Sequence, residues 1–174
     1  MKHDDRYALA VASFGPALQR LVRGFEADAD RRRDLLQEIH IELWRSLEAF
    51  EEKCSLRTWV YRVAHNVYAS HVMRSRRLNY AGSASLEDLA DTPDRDNPEV
   101  IASEQQAVAW LHQTIQQLKP PDAQVMCLYL EDIDASEIAE ILGISPGAVS
   151  TRLHRIKTIL ARMFQNGGSN DDQA

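Results

Sequence analysis

Cysteine is nearly absent from this chain of 174 residues: Cys54 and Cys127 are the only two, far apart and in no CxxC spacing. That argues against a disulfide framework or a zinc site and leaves two free, structural thiols. No apolar run approaches the roughly 20 residues that span a bilayer. The opening MKHDDRYALAVASFG is too acidic, and its apolar stretch too short, for a signal peptide. The expected location is therefore the cytoplasm. Glycine (7) and proline (6) are few, and aromatics make up 7%. Against these scarcities stand 44% hydrophobic and 26% charged residues, the balance of a chain that buries a core, so disorder throughout is excluded. The length allows one domain or two small ones.

A positive balance is lacking too, since 26 acidic residues outnumber 20 basic ones and the net charge is −6. On its face this argues against nucleic acid, whose binding is dominated by Lys and Arg on phosphates. The average conceals a segregation. Lys53 to Tyr80 holds Lys53, Arg57, Arg62, Arg74, Arg76 and Arg77 with no acid, a charge of +6. Gly143 to Phe164 holds Arg152, Arg155, Lys157 and Arg162, again with no acid, a charge of +4. Between them, Ala81 to Leu142 sets thirteen acids against Arg95 and Lys119, a charge of −11. Two acid-free basic blocks point to polyanion contact at two places, with the acidic part kept off it or facing another protein.

Nearly every segment reads as helix. Val11, Phe14, Leu18, Leu21 and Phe25 form one stripe of a helical pair, interrupted at Gly15-Pro16. Leu36, Ile39, Leu43, Leu47 and Phe50 repeat the spacing, and a third helix, with Val60, Val63, Val67 and His71 or Val72 inward, is expected to end near Arg77. From Asn79 to Asn97 the periodicity stops among Gly, Ser, Pro and Asp, which reads as a flexible acidic linker. Asn97-Pro98 then starts a helix that Pro120-Pro121 ends, and a short helix from about Asp122 to Leu130 follows. The expected fold is all-α: two small helical domains joined by that linker, at 1–78 and 98–165, with 79–97 between them and a frayed tail at 166–174.

Residues Ala135 to Leu160, ASEIAEILGISPGAVSTRLHRIKTIL, read as a helix-turn-helix. Ser136 is placed to cap the first helix, small Ala139 faces inward, and Gly143 stands where a left-handed residue ends a helix. Ser145 caps the second helix with Pro146 in its first turn, and Val149, Leu153, Ile156 and Leu160 form its buried stripe. Its exposed face carries Ser150, Thr151, Arg152, His154, Arg155, Lys157 and Thr158, donors suited to phosphates and base edges. In the other basic block, SLRTWVYRVAHNVYASHVMRSRR (Ser55 to Arg77) aligns Trp59, Arg62, Asn66 and Ser70 on one helix face. An aromatic ring, a guanidinium and an amide together suit single-stranded DNA.

Three stretches carry a resemblance to a known family: DLLQEIHIELWRSLEAF (Asp34 to Phe50), SLRTWVYRVAHN (Ser55 to Asn66) and EIAEILGISPGAVSTRLHRIK (Glu137 to Lys157). In order and spacing they resemble the bacterial extracytoplasmic-function sigma factors, the smallest class of RNA polymerase specificity subunits of the sigma-70 superfamily. The resemblance implies that 1–78 is sigma region 2 and 98–165 sigma region 4. It implies that Asp34, Leu35, Gln37, Glu38 and Glu42 meet the clamp helices of the polymerase β′ subunit, while region 4 meets the β flap. It implies that Lys53, Arg57, Trp59, Arg62 and Asn66 melt the minus-ten element and capture a flipped base, Asn66 reading it, with Arg74, Arg76 and Arg77 on phosphates. Ser150, Thr151, His154 and Arg155 would face the minus-thirty-five element, with Arg152 and Lys157 on phosphates. The chain departs from the family in carrying Arg31, Arg32 and Arg33 where acids usually precede the Asp-Leu pair, and in having Ser150 and His154 where relatives carry basic or aromatic residues.

The implied protein is not an enzyme and needs no cofactor, metal or small-molecule substrate. Its partners are core RNA polymerase, promoter DNA and an anti-sigma factor, which in this family can hold the sigma factor at the inner membrane. The competing reading from the residues is a stand-alone helix-turn-helix transcriptional regulator with a helical N-terminal domain. A helical metalloenzyme built on Glu38, His40, His65 and His71 has no ligand spacing to support it.

Overall fold

The structure, a computed structural model, describes residues 3–82 and 104–168, with side chains for 3–75 and 106–163. Helices α1 (His3–Phe25), α2 (Ala29–Ser46) and α3 (Leu56–Gly82) form the N-terminal half, with a 3₁₀ turn at Leu47–Ala49. Helices α4 (Glu104–Gln116), α5 (Pro120–Leu130), α6 (Ala135–Leu142) and α7 (Pro146–Gly168) form the C-terminal half. All described elements are helical, as the spacing predicts.

Four of the helices, α2, α3, α6 and α7, start where a side chain satisfies backbone N–H groups that have no partner within the helix. Asp28 accepts from Arg31 N at 2.8 Å at the head of α2, and Ser55 Oγ accepts from Thr58 N at 3.0 Å at the head of α3. In the helix-turn-helix the cap lies two residues before the expected one: Asp134, not Ser136, accepts from the N–H groups of Ser136 and Glu137, both at 2.9 Å. A carboxylate is the stronger acceptor at the positive end of a helix. Gly143 is left-handed at φ 67°, and Ser145 Oγ accepts from Ala148 N at 3.2 Å, as the sequence predicts.

Gly15-Pro16 does not break α1. Proline removes the bond to the carbonyl of Ala12, but Ala12 and Pro16 both lie on the exposed side, where water replaces the lost donor. α3 passes Arg77 and ends at Gly82, so the first four residues of the expected linker continue the helix. The rest of the linker, with Asn97 and Pro98, lies outside the described residues, as does the tail beyond Gly168.

Leu18, Leu35, Ile39, Leu43, Leu47 and Val60 are fully buried in the N-terminal half, and Val125, Leu128, Ile133, Ile138 and Ile156 in the C-terminal half. Burial of each large aliphatic side chain stabilises by about 1.5–3 kcal/mol. The two sets join into one core because α1 packs on α4 and α5, and α3 on α5 and α6. Gly24 brings α1 close against α5: a Cβ there would lie 2.5 Å from Cys127 Sγ. Both cysteines are free; burial pushes the Cys127 thiol up to about 12, which makes it inert.

Candidate nucleic-acid interface

α3 carries the first basic block, and its cap at Ser55 aims the first turn at the C-terminal half. There the arginines meet α6. Arg57 Nε donates to Glu137 Oε1 at 3.1 Å while its Nη2 pairs with Glu137 Oε2, and Thr58 Oγ1 donates to Glu137 Oε1 at 2.9 Å. One turn on, Arg62 Nη2 donates to Glu140 Oε1 at 3.1 Å and to the Glu140 carbonyl at 3.2 Å. Arg20 of α1 makes a two-pronged pair with Glu131 at 2.8 and 2.6 Å. Gln116 donates to the Arg23 carbonyl at 2.7 Å and Gln124 to the His65 carbonyl at 3.5 Å. The acidic middle of the sequence thus has a destination, the basic face of the N-terminal half. In the free chain two of the expected promoter-facing cations, Arg57 and Arg62, are thus already held by carboxylates of α6.

The other residues of that face are placed variously. Trp59 is half-buried, donates its indole N–H to Ser46 Oγ at 3.1 Å and packs on Phe50 at 5.2 Å, so it fixes α3 against the 3₁₀ turn. Asn66 is exposed, in a groove of about 820 Å³ between α2 and α3 that also takes in Ser70, Met73 and Arg74. Arg74 Nη2 donates to Glu38 Oε2 at 2.5 Å across this groove. Lys53 is exposed beside Glu51. Arg76 and Arg77 stand on the last turns of α3, their side chains outside the described set.

On α2, Asp34, Gln37 and Glu42 are exposed and Glu38 is half-buried. Leu35 is fully buried in the core of its own half. The side chains that do project are Ile41 and Trp44, the latter edge-on to His3 at 4.8 Å. The three arginines before Asp34 do not form one patch. Arg32 donates to the carbonyl of Ala27 at 2.9 Å and braces the turn between α1 and α2, Arg33 pairs with Asp30 at 2.7 Å, and Arg31 is exposed. The histidines of the metalloenzyme reading are scattered: His40 Nδ1 pairs with Tyr7 Oη at 3.0 Å, and His71 lies 3.8 Å from Glu26.

On α7, Ser150, Thr151 and His154 are exposed along one face, and Thr151 Oγ1 donates to the Gly147 carbonyl at 2.9 Å, which leaves its lone pairs outward. Arg152 and Arg155 both turn to Asp122 of α5, at 3.1 and 2.6 Å, and Lys157 donates to Tyr129 Oη at 2.9 Å. The sequence reading missed Glu137 and Glu140 as partners of the first basic block, Glu131 as the partner of Arg20, and Asp122 and Tyr129 as partners of the second block. The only signal for them was the dense acid between the two blocks.

Comparison with known proteins gives this geometry a context. Residues 10–78 match the family model described as sigma-70 region 2, and residues 109–160 that described as sigma-70, region 4. RNA polymerase sigma factor YlaC of Bacillus subtilis is 30% identical over 131 residues, 75% of this chain and 75% of that protein. ECF RNA polymerase sigma factor SigW of the same organism is 26% identical over 169 residues, 93% of this chain and 90% of that one. Among solved structures, the sigma factor RpoE in complex with the anti-sigma factor NepR from Bartonella quintana superposes with a TM-score of 0.69 at 18% identity. That match covers 96% of this chain and 98% of the other. The likeness lies in the fold.

Proposed function

This chain belongs to the sigma-70 family of RNA polymerase sigma factors, in its extracytoplasmic-function branch, and we propose from that premise how its residues serve promoter-directed transcription initiation. The chain works as a dissociable specificity subunit and not as an enzyme. It acts in the cytoplasm, with an anti-sigma factor as the partner that silences it or holds it at the inner membrane. The N-terminal half docks on the β′ clamp helices of core polymerase through the exposed face of α2, where Asp34, Gln37, Glu38 and Glu42 offer carboxylates and an amide. Region 4 meets the β flap.

The observation that carries the DNA reading is the composition of α3, where exposed Asn66 and Arg74 line an open groove and Arg57 and Arg62 precede them along the same helix. Guanidiniums there hold phosphates, and the Asn66 amide meets the edge of a base drawn out of the stack. Unstacking costs a few kcal/mol, offset by those contacts. Arg76 and Arg77 extend the phosphate track, and Lys53 stands at its other end. Trp59 supports this face from below. On α7, Ser150, Thr151, His154 and Arg155 read the upstream element in the major groove. Because Glu137 and Glu140 sit on Arg57 and Arg62 in the closed chain, engagement of the minus-ten element requires α6 to leave α3.

Each basic block supplies few phosphate contacts, so neither half alone holds DNA tightly at physiological salt. Tethering both to polymerase makes the two weak sites act together. The test is run-off transcription on fragmented genomic DNA with purified core polymerase, with and without this protein. New transcripts whose start sites share two upstream elements support the reading. Absence of both transcripts and core binding would refute it in favour of a stand-alone regulator.

A further inference from the structure

The second basic block presents less free charge than its sequence suggests. Asp122 sits in the first turn of α5, is 6% exposed, and gives one oxygen to each of two guanidiniums from α7: Oδ1 to Arg152 Nη1 at 3.1 Å and Oδ2 to Arg155 Nη2 at 2.6 Å. The two arginines stand three residues apart, on neighbouring positions of one helix face, so a single carboxylate reaches both. Seven residues further along α5, Tyr129 holds a third cation: Lys157 Nζ lies 2.9 Å from its hydroxyl and 4.1 Å from its ring centre. Of the four cations in the block, three are therefore held by α5. The carboxylate is buried while Arg155 keeps more than half of its side chain in solvent, so the acid anchors one side of that guanidinium on a helix that also exposes His154 and Thr151.

We propose that Asp122 is a specificity-determining positioning residue of the upstream-element reader: it withholds Arg152 and Arg155 from arbitrary phosphates and orients Arg155 beside the base-facing residues. The proposal rests on the reading of α7 as the DNA-contacting helix. Its physical basis is that an arginine free to swing finds a phosphate on any DNA sequence, whereas a base contact needs one orientation. A carboxylate holding two guanidiniums lowers the sequence-independent part of binding, and a fixed fork favours the sequence-dependent part. A merely structural acid would bind α5 to α7 and do neither.

Salt dependence separates these roles, because each phosphate contact on duplex DNA contributes about 0.9 to the slope of log affinity against log salt. The full chain and its Asp122→Asn variant are titrated with poly(dI-dC) from 50 to 300 mM salt, alone and with core polymerase. The promoter mapped by run-off transcription is titrated alongside. The expected result is a slope steeper by about 0.9 to 1.8 for the variant on poly(dI-dC), with a smaller ratio of promoter to poly(dI-dC) affinity. An unchanged slope, or a parallel loss on both DNAs with a lower melting temperature, would overturn the proposal. Should the variant not fold, the wild-type chain still decides through arginine-selective labelling with phenylglyoxal. Arg152 is expected to react slowly with or without poly(dI-dC), and protection appearing only on DNA addition would show it on phosphates and refute the assignment. A wild-type chain that yields no promoter-directed transcripts removes the reading of α7 itself, whereas normal transcripts with an unchanged slope remove only the role of Asp122.

Discussion

Replacing Gly24 with alanine tests whether the two halves separate as units. The new Cβ would lie 2.5 Å from Cys127 Sγ and 3.8 Å from Ile115 Cγ2, and Cys127 is only 5% exposed on a helix packed on both sides. The sulfur or the helices must shift to admit the new carbon, and overpacking of this kind should cost the closed state about 1–3 kcal/mol. Alanine also favours helix over glycine by up to about 1 kcal/mol. That gain cancels, because α1 is helical whether or not α5 lies against it, whereas the clash exists only in the closed arrangement. At about 1.4 kcal/mol per tenfold, the open fraction should rise by roughly 5- to 150-fold. Cys127 itself is the reporter. In a Cys54→Ser background, burial denies a thiol reagent both access and thiolate, so labelling proceeds through opening. Gly24→Ala should label faster by that factor with helix content unchanged. Labelling at the parent rate would refute the argument that this contact holds the halves together. Labelling that tracks loss of all helix would show instead that they do not separate at all.

The other predictions concern single contacts. Glu137→Gln should weaken the hold on Arg57 and Thr58 by about 1 kcal/mol, a modest figure because Arg57 keeps 43% of its side chain in solvent. Cys127 labelling would then rise roughly 5-fold, and Arg57→Ala should add little in the same chain, as a double-mutant cycle would reveal. Asn66→Ala should lower open-complex formation, read by permanganate footprinting, while core polymerase binding measured by fluorescence anisotropy is kept; equal loss of both would contradict the assigned role. Burial lowers the pKa of His65, whose Nδ1 has no partner, and of His112, which also faces Arg23 and Arg32. The unfolded chain therefore takes up protons near pH 6.5 that the folded chain refuses. Their stabilising contribution is complete above that pH and declines as pH falls below it. The melting temperature should be lower at pH 5.5 than at 7.5, with the difference reduced in His65→Gln or His112→Gln. Identical melting curves for all three chains would show that burial does not act on these rings.

Local chemistry made much of the fold legible. The apolar stripes of α1, α2 and α7, the left-handed turn at Gly143 and the cap at Ser145 follow from side-chain period and backbone sterics, which act over a few residues. At other positions distant chain decided. Pro16 stays inside α1 because the bond it removes falls on the solvent side, and Leu35 lies in the core because α1 and α3 close over it. Trp59, placed by its helix face beside bases, is turned to Ser46 and Phe50 by a turn that periodicity does not locate.

The sequence by itself determined that this is a helical chain with two basic blocks, an acidic stretch between them and a helix-turn-helix at the second, because composition, period and caps are properties of neighbouring residues. The tertiary structure alone decided that Glu137 and Glu140 sit on Arg57 and Arg62, that Asp122 holds Arg152 and Arg155, and that Gly24 meets Cys127. Ion pairs between residues 30 to 80 positions apart, and a contact across about 100, leave no periodic trace in the sequence. They depend on how the helices pack, which the summed burial of both halves sets.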